Sequence, residues 1–278
     1  MVSKFVGVIS ALFIIIVLGC QKNISEIHLD SKTNLLVPAL EQPVVIKESA
    51  CPSDMVEIEG EHCLQAEEIC LYNVDSYGKR LAGPANNDKA CGEFKYPTKC
   101  LSKTNHMHFC IDKFEFGNVK GELPRDWLSW NDGKRICESL GKRLPTSTEW
   151  EFACEGPDLK PLPYGNGYVR DNTACNMDNH ATGIDVFKAT SPSSPMSQRL
   201  RSLLVPSGSK EGCVSDFQVY DQVGNVDEFV VNESGHPYKS ALMGGHIWHI
   251  RARCRARTLA HNESFSWYET SFRCAKTL

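Results

Sequence analysis

No Cys-x-x-Cys pair occurs in this 278-residue chain, although it holds thirteen cysteines. That absence removes the common zinc-ribbon and thioredoxin-like readings. There is no glycine-rich phosphate loop, no His-Glu-x-x-His and no Gly-x-Ser-x-Gly, so nucleotide hydrolysis, zincin chemistry and the usual serine hydrolases find no support. Basic residues are not in excess: 30 Lys and Arg stand against 34 Asp and Glu, a formal charge of −4. Nucleic acid is therefore not expected as a partner. Internal repeats and low-complexity blocks are missing, and regular secondary-structure signals are sparse. Only Phe5–Leu18 is a long apolar run, and it is too short for an ordinary membrane-spanning helix.

That run follows Lys4 and ends in Val17-Leu18-Gly19-Cys20. It reads as a signal-peptide core, and its end resembles the bacterial lipobox, in which the cysteine thiol takes a diacylglycerol. Residues 1–19 are then a signal peptide, Cys20 is the lipidation site and residues 20–50, with Pro38 and Pro43, are a tether. The expected location is the bacterial cell envelope, on a membrane through the lipid, on the periplasmic or outer-membrane side. Losing Lys4, the only charge before Cys20, takes the net charge from −4 to −5. Setting Cys20 aside also leaves twelve cysteines, an even number suited to an oxidising compartment and to six disulfides. Residues 51–278 are enough for one domain with a core, and residues 51–110 form its Cys-rich first part.

Two helices are legible. Ser129 caps one through Leu140, with Gly141 behind it. Thr146-Ser147-Thr148-Glu149 is a capping-box pattern that opens a second, which stops near Gly156; capping accounts for the carboxylates Glu149 and Glu151. Short strands are expected at Asp54–Ile58, Phe109–Phe116, Glu228–Val231 and Ser271–Ala275. Residues 185–212 are rich in Ser and Pro and read as a long surface loop.

A series of motifs carries more. It runs through Met55-Val56-Glu57-Ile58-Glu59-Gly60, Asp112-Lys113-Phe114-Glu115, Gly141-Lys142-Arg143-Leu144-Pro145-Thr146 and Glu149-Trp150-Glu151. It continues with Tyr164-Gly165-Asn166, Asp221-Gln222-Val223-Gly224-Asn225-Val226, Glu228-Phe229 and Gly244-Gly245. It closes with Arg253-Cys254-Arg255 and Ser271-Phe272-Arg273-Cys274. In this order and spacing the series resembles the formylglycine-generating enzyme family, the sulfatase-modifying factors, from about Met55 onward. The resemblance implies an α+β class: an irregular, disulfide-rich formylglycine-generating-enzyme fold, related to the C-type lectin fold and low in regular secondary structure. It implies Cys137–Cys274 and Cys154–Cys254 disulfides, which leave Cys175 and Cys213 to each other. Cys51, Cys63, Cys70, Cys91, Cys100 and Cys110 can still pair in fifteen ways. The resemblance also implies structural calcium held by Asp221, Gly224, Val226 and Glu228, two carboxylates and two carbonyls that make a hard-oxygen set. Asn176 and Asp185 match a second family calcium site only loosely.

The departure from the family lies after Gly244-Gly245. Its oxidases carry two cysteines there that bind copper(I), a soft ion that prefers sulfur. This chain runs His246-Ile247-Trp248-His249-Ile250-Arg251-Ala252-Arg253 before Cys254, so no copper is expected. His246, Trp248, His249 and His261, beside Phe265, Trp267 and Tyr268, are candidate pocket residues. The histidines either form a new metal site, iron included, or line a groove. No carboxylate stands at a recognisable facial-triad spacing, which favours the groove. The expected function is a non-oxidase module binding a peptide, glycan or envelope component. A metal-dependent, non-heme-iron-type oxidoreductase or protein-maturation enzyme is the alternative, and a structural envelope protein the third reading.

Overall fold

The structure, a computed structural model, describes residues 49–86, 89–178, 183–247 and 251–278. Cys20, the signal segment and nearly all of the tether, together with Trp248 and His249, lie outside the described residues. Eleven short strands and three α-helices are described there, the longest strands having nine residues. The expected mixed, irregular, low-regularity fold is what is found.

The first sheet has the order β1-β6-β11, from Met55–Cys63, Thr104–Asp112 and Ala275–Thr277, all antiparallel. Its inner face carries Ile58, Phe109 and Ile111 onto Phe152 and Ala153 of a helix. The second sheet has the order β10-β7-β8-β9, from Thr270–Phe272, Asp227–Val231, Ser240–Met243 and Arg257–Thr258. There β10 runs parallel to β7, and the other pairs are antiparallel. Two small ribbons complete the Cys-rich part: β2 (Ala66–Glu67) with β5 (Lys99–Cys100), and β3 (Cys70–Asn73) with β4 (Cys91–Phe94).

The helices begin where local chemistry places them. For α1 (Trp130–Ser139), Ser129 is the N-cap and shares a capping box with Asp132. For α2 (Ser147–Glu155), Thr146 and Glu149 form the expected box, and Gly156 ends the helix. Both sit under the second sheet. Trp130, Cys137 and Leu144 pack on Phe229, Leu242 and Phe272, while Trp150 and Cys154 join a larger cluster with Val230 and Met243.

Four expectations change. The first strand runs on to Cys63, well beyond Ile58, because its partner β6 starts at Thr104. The strand expected over Phe109–Phe116 instead spans Thr104–Asp112; Asn118 closes a turn over Phe114, accepting its N–H at 3.0 Å. The final strand divides into β10 and β11, in different sheets, with Arg273 and Cys274 between them. Within 185–212 a 3-10 turn, Val186–Lys188, and α3, Pro195–Arg201, replace a bare loop. Ser194 caps α3 and Pro195 stands at its first turn, a start signal hidden in the Ser/Pro composition.

All twelve cysteines from Cys51 to Cys274 are in disulfides. Cys137–Cys274 and Cys154–Cys254 are joined as the family resemblance implies, and Cys175–Cys213 is the pair they leave. In the Cys-rich part the pairing is Cys51–Cys110, Cys63–Cys100 and Cys70–Cys91. Cys137–Cys274 and Cys154–Cys254 tie the helices to C-terminal segments 137 and 100 residues away. Each contributes about 4–5 kcal/mol in the chain-entropy account.

Candidate functional site

One end of the second sheet gathers ionisable groups. Parallel register sets Asp227 of β7 beside Thr270 of β10, so Asp227 N–H donates to the Glu269 carbonyl at 2.7 Å. Antiparallel register brings the end of β8 to the same edge, because Met243 faces Glu228. The chain then turns through Gly244, at φ 87°, where a Cβ would lie 2.3 Å from the Gln222 carbonyl oxygen. Only glycine fits so close an approach. Beyond the turn, His246 sets its Nε2 2.6 Å from a Glu269 oxygen. Arg251 donates to Asp227 at 2.5 Å, and Asp227 also accepts Gly245 N–H at 3.2 Å.

Asp227, His246 and Glu269 are buried and Arg251 is partly so, and burial shapes the charge of the two carboxylates. Burial first, then Glu269 nearby, pushes Asp227 up to about 6 against the pull of Arg251. Burial also works on Glu269, but His246 and Arg251 outweigh it and hold its carboxyl below the usual range. Aromatic rings line the flank. Tyr268 meets His246 edge-on with centroids 5.8 Å apart and touches Trp267 at 4.8 Å. His261 stacks on Phe265 at 3.7 Å, its carbonyl accepting from Ser240. Desolvation lowers the His261 pKa. The structure thus brings His246 together with Glu269, and places His261 on the aromatic side. The site offers an oriented imidazole, a guanidinium and an aromatic flank. Sequence reasoning missed Asp227, Arg251 and Glu269, because their meeting depends on strand register across more than forty residues.

The acidic loop lies against this turn from behind, Gly224 N–H donating to the Gly244 carbonyl at 3.1 Å. Gly224 has φ 84°, and a Cβ there would come within 2.5 Å of the Asn176 carbonyl oxygen. Asp221, also at positive φ, accepts Gly208 N–H at 2.6 Å. Glu228 receives both ends of Arg273 at 2.6 Å and Trp150 Nε1 at 2.7 Å. A third carboxylate, missed in the sequence, is Glu115, fully buried and bonded to Ser207, Asn225 and Val226 N–H. Three buried carboxylates therefore face one guanidinium. Burial and mutual repulsion push Glu115 well above the usual carboxylate range; burial above all takes Asp221 up to about 6. Asn176 is at hand but turns its amide to Leu203 and Asn225, while Asp185 caps the 3-10 turn at Phe187.

A third cluster joins β1 to α2. His62, wholly buried, has Nε2 3.4 Å from Glu151 and Nδ1 3.3 Å from Glu155. Arg255 and Arg257 bond the same two carboxylates at 2.6 Å. The capping account of Glu151 is thereby corrected. Glu149 caps, receiving Thr146 N–H at 2.8 Å, but Glu151 points to the other side of the helix into this cluster.

An irregular α+β domain stapled by six disulfides, with a Gly-Gly turn at the sheet end and an acidic loop behind it, defines a narrow class. The chain belongs to the sulfatase-modifying factor enzyme 1-like domain family, which matches residues 87–278. It is similar to the inactive C-alpha-formylglycine-generating enzyme 2 of Bos taurus, 33% identical over 119 residues, 41% of this chain and 34% of that protein. It is also similar to the formylglycine-generating enzyme of Mus musculus, 50% identical over 175 residues, covering 53% and 42%. The chain thus matches 34% and 42% of the length of these two relatives. Among solved structures, PvdO from Pseudomonas aeruginosa aligns at 19% identity and TM-score 0.45, covering 81% of this chain and 94% of that one.

Proposed function

We propose that this protein is an exported lipoprotein, anchored through Cys20 in the bacterial cell envelope, that binds a peptide, glycan or other envelope component at the His246–Glu269 end of the second sheet. The observation that carries this reading is the state of the sulfur. Every cysteine from Cys51 to Cys274 is in a disulfide. Between Gly245 and Cys254, where the resembled oxidases hold copper on thiolates, this chain has none. A relative named as inactive points the same way. What remains at the site suits recognition: Arg251 and the His246–Glu269 pair for polar groups, Trp267 and Tyr268 for an apolar face.

The same reading includes a structural calcium ion in the acidic loop, held by Asp221 and Glu228 with the carbonyls of Gly224 and Val226. The excess of Glu115, Asp221 and Glu228 over the Arg273 guanidinium, among the described residues, supports it, since a divalent cation supplies further positive charge. Glu228 also accepts from Arg273 and Trp150, so it would serve the ion and the guanidinium together.

Elemental analysis of the purified protein, disulfides formed, tests both halves. Bound calcium without stoichiometric iron or copper is expected. Iron or copper in one-to-one amount, lost in His246→Ala, would establish the metal-enzyme alternative instead. A glycan and peptide array gives the complementary readout, with retention of wild type and its loss in Arg251→Ala as the expected result.

A further inference from the structure

Strand β6 carries a His-x-His pair, His106 and His108, and alternation along a strand sends both to one face. Register with β1 sets His108 opposite Glu59 and His106 opposite Glu61. Glu57 stands two residues before Glu59, on the same side. Three carboxylates and two imidazoles thus share the outward face of this ribbon, while Ile58 and Phe109 pack inward on Phe152. His108 Nε2 lies 2.9 Å from a Glu57 oxygen, and His106 Nδ1 lies 3.3 Å from a Glu61 oxygen. One ligand atom from each of Glu57, Glu59 and His108 falls within 4.8 Å of the others.

This donor set is held in place. Cys110 faces Glu57 across the ladder and is bonded to Cys51; Cys63, at the far end of β1, is bonded to Cys100. Neither strand can slip in register, so the ligands lose little freedom in closing round an ion. None of these residues belongs to the acidic loop or the His246 site.

We propose that the outer face of the β1–β6 ribbon is a binding site for a divalent ion of the zinc class, held by His108, Glu57 and Glu59 with His106 at its edge. The chemistry of the donors selects the ion. Imidazole and carboxylate together suit zinc, whereas calcium takes oxygen alone and copper(I) seeks sulfur. The ion takes the place of the 2.9 Å contact between His108 Nε2 and Glu57. Because the face is open, a fourth position stays available to water.

Calorimetric titration of the purified, chelator-stripped protein with zinc chloride, in excess calcium, tests the site. One equivalent is expected to bind. Affinity should fall about tenfold or more in His108→Ala and in Glu59→Gln, and stay unchanged in His236→Ala, an exposed histidine on another loop. Cobalt(II) should give a visible absorption band that His108→Ala abolishes. Circular dichroism checks that the variants, altered only on an exposed face, remain folded. Absence of zinc binding, or equal binding in His108→Ala, overturns the proposal and leaves cross-strand ion pairs alone.

Discussion

Arg273 is the guanidinium set against the buried carboxylates Glu228, Glu115 and Asp221. It is completely buried and donates to both oxygens of Glu228, to the Tyr220 carbonyl at 2.8 Å and to the Asp112 carbonyl at 3.2 Å. Removing one partner of a buried pair leaves the other charge uncompensated. Arg273→Met should therefore cost about 3–5 kcal/mol in urea unfolding of the oxidised protein, far more than an exposed Arg135→Met. The sequence showed Arg273 only as a letter in the Ser-Phe-Arg-Cys motif. Asp221, Gly224 and Glu228 were legible as an acidic turn with a glycine at its bend. Glu115 was not, because it sits more than a hundred residues before the groups it meets, Asn225 and Val226. A charged residue's burial is decided by such distant contacts, and no local pattern reports them.

At the scale of elements, caps were readable and partners were not. Ser129, Thr146 and Glu149 mark their helices because capping is a contact over three residues. The same letters put Glu151 among the capping carboxylates, whereas its burial against His62, Arg255 and Arg257 joins α2 to β1. That junction has a pH signature. Burial alone would lower the His62 pKa, but Glu151 and Glu155 outweigh it and raise the value. A raised histidine contributes fully below its unfolded value, about 6.5, and loses its contribution as pH rises through the folded value. Nearby Glu68 lies 3.5 Å from Arg253, and burial pushes it up to about 7 from 4.5. The folded state holds that proton more tightly, so this contribution also falls as pH rises between those values. Unfolding free energy, followed by urea midpoint against pH, should decline as pH rises from about 4.5 to 7 through Glu68, and further above about 6.5 through His62. His62→Gln should flatten the part above about 6.5. A midpoint that rises across this range would contradict the assignment.

Over the whole molecule, cysteine chemistry organises the account. An odd count became even once Cys20 was set aside, and the other twelve cysteines form six disulfides. The family resemblance implies two of the three later pairs and leaves the third by elimination. The first three depend on β1 lying beside β6, on the end of β1 reaching β5 and on β3 pairing with β4, which spacing does not reveal. Expressed in bacteria, the wild type should carry a diacylglyceryl thioether on Cys20, read by mass spectrometry, and Cys20→Ala should carry none; an unmodified Cys20 in the wild type would contradict the lipid anchor.

The central claim is that this scaffold has kept the family's architecture while giving up its thiol chemistry. The direct test is incubation of the oxidised protein with copper(I), oxygen and a sulfatase-type cysteine peptide, with formylglycine read by mass spectrometry. No conversion above a protein-free control is predicted. Copper-dependent turnover of the peptide would contradict it.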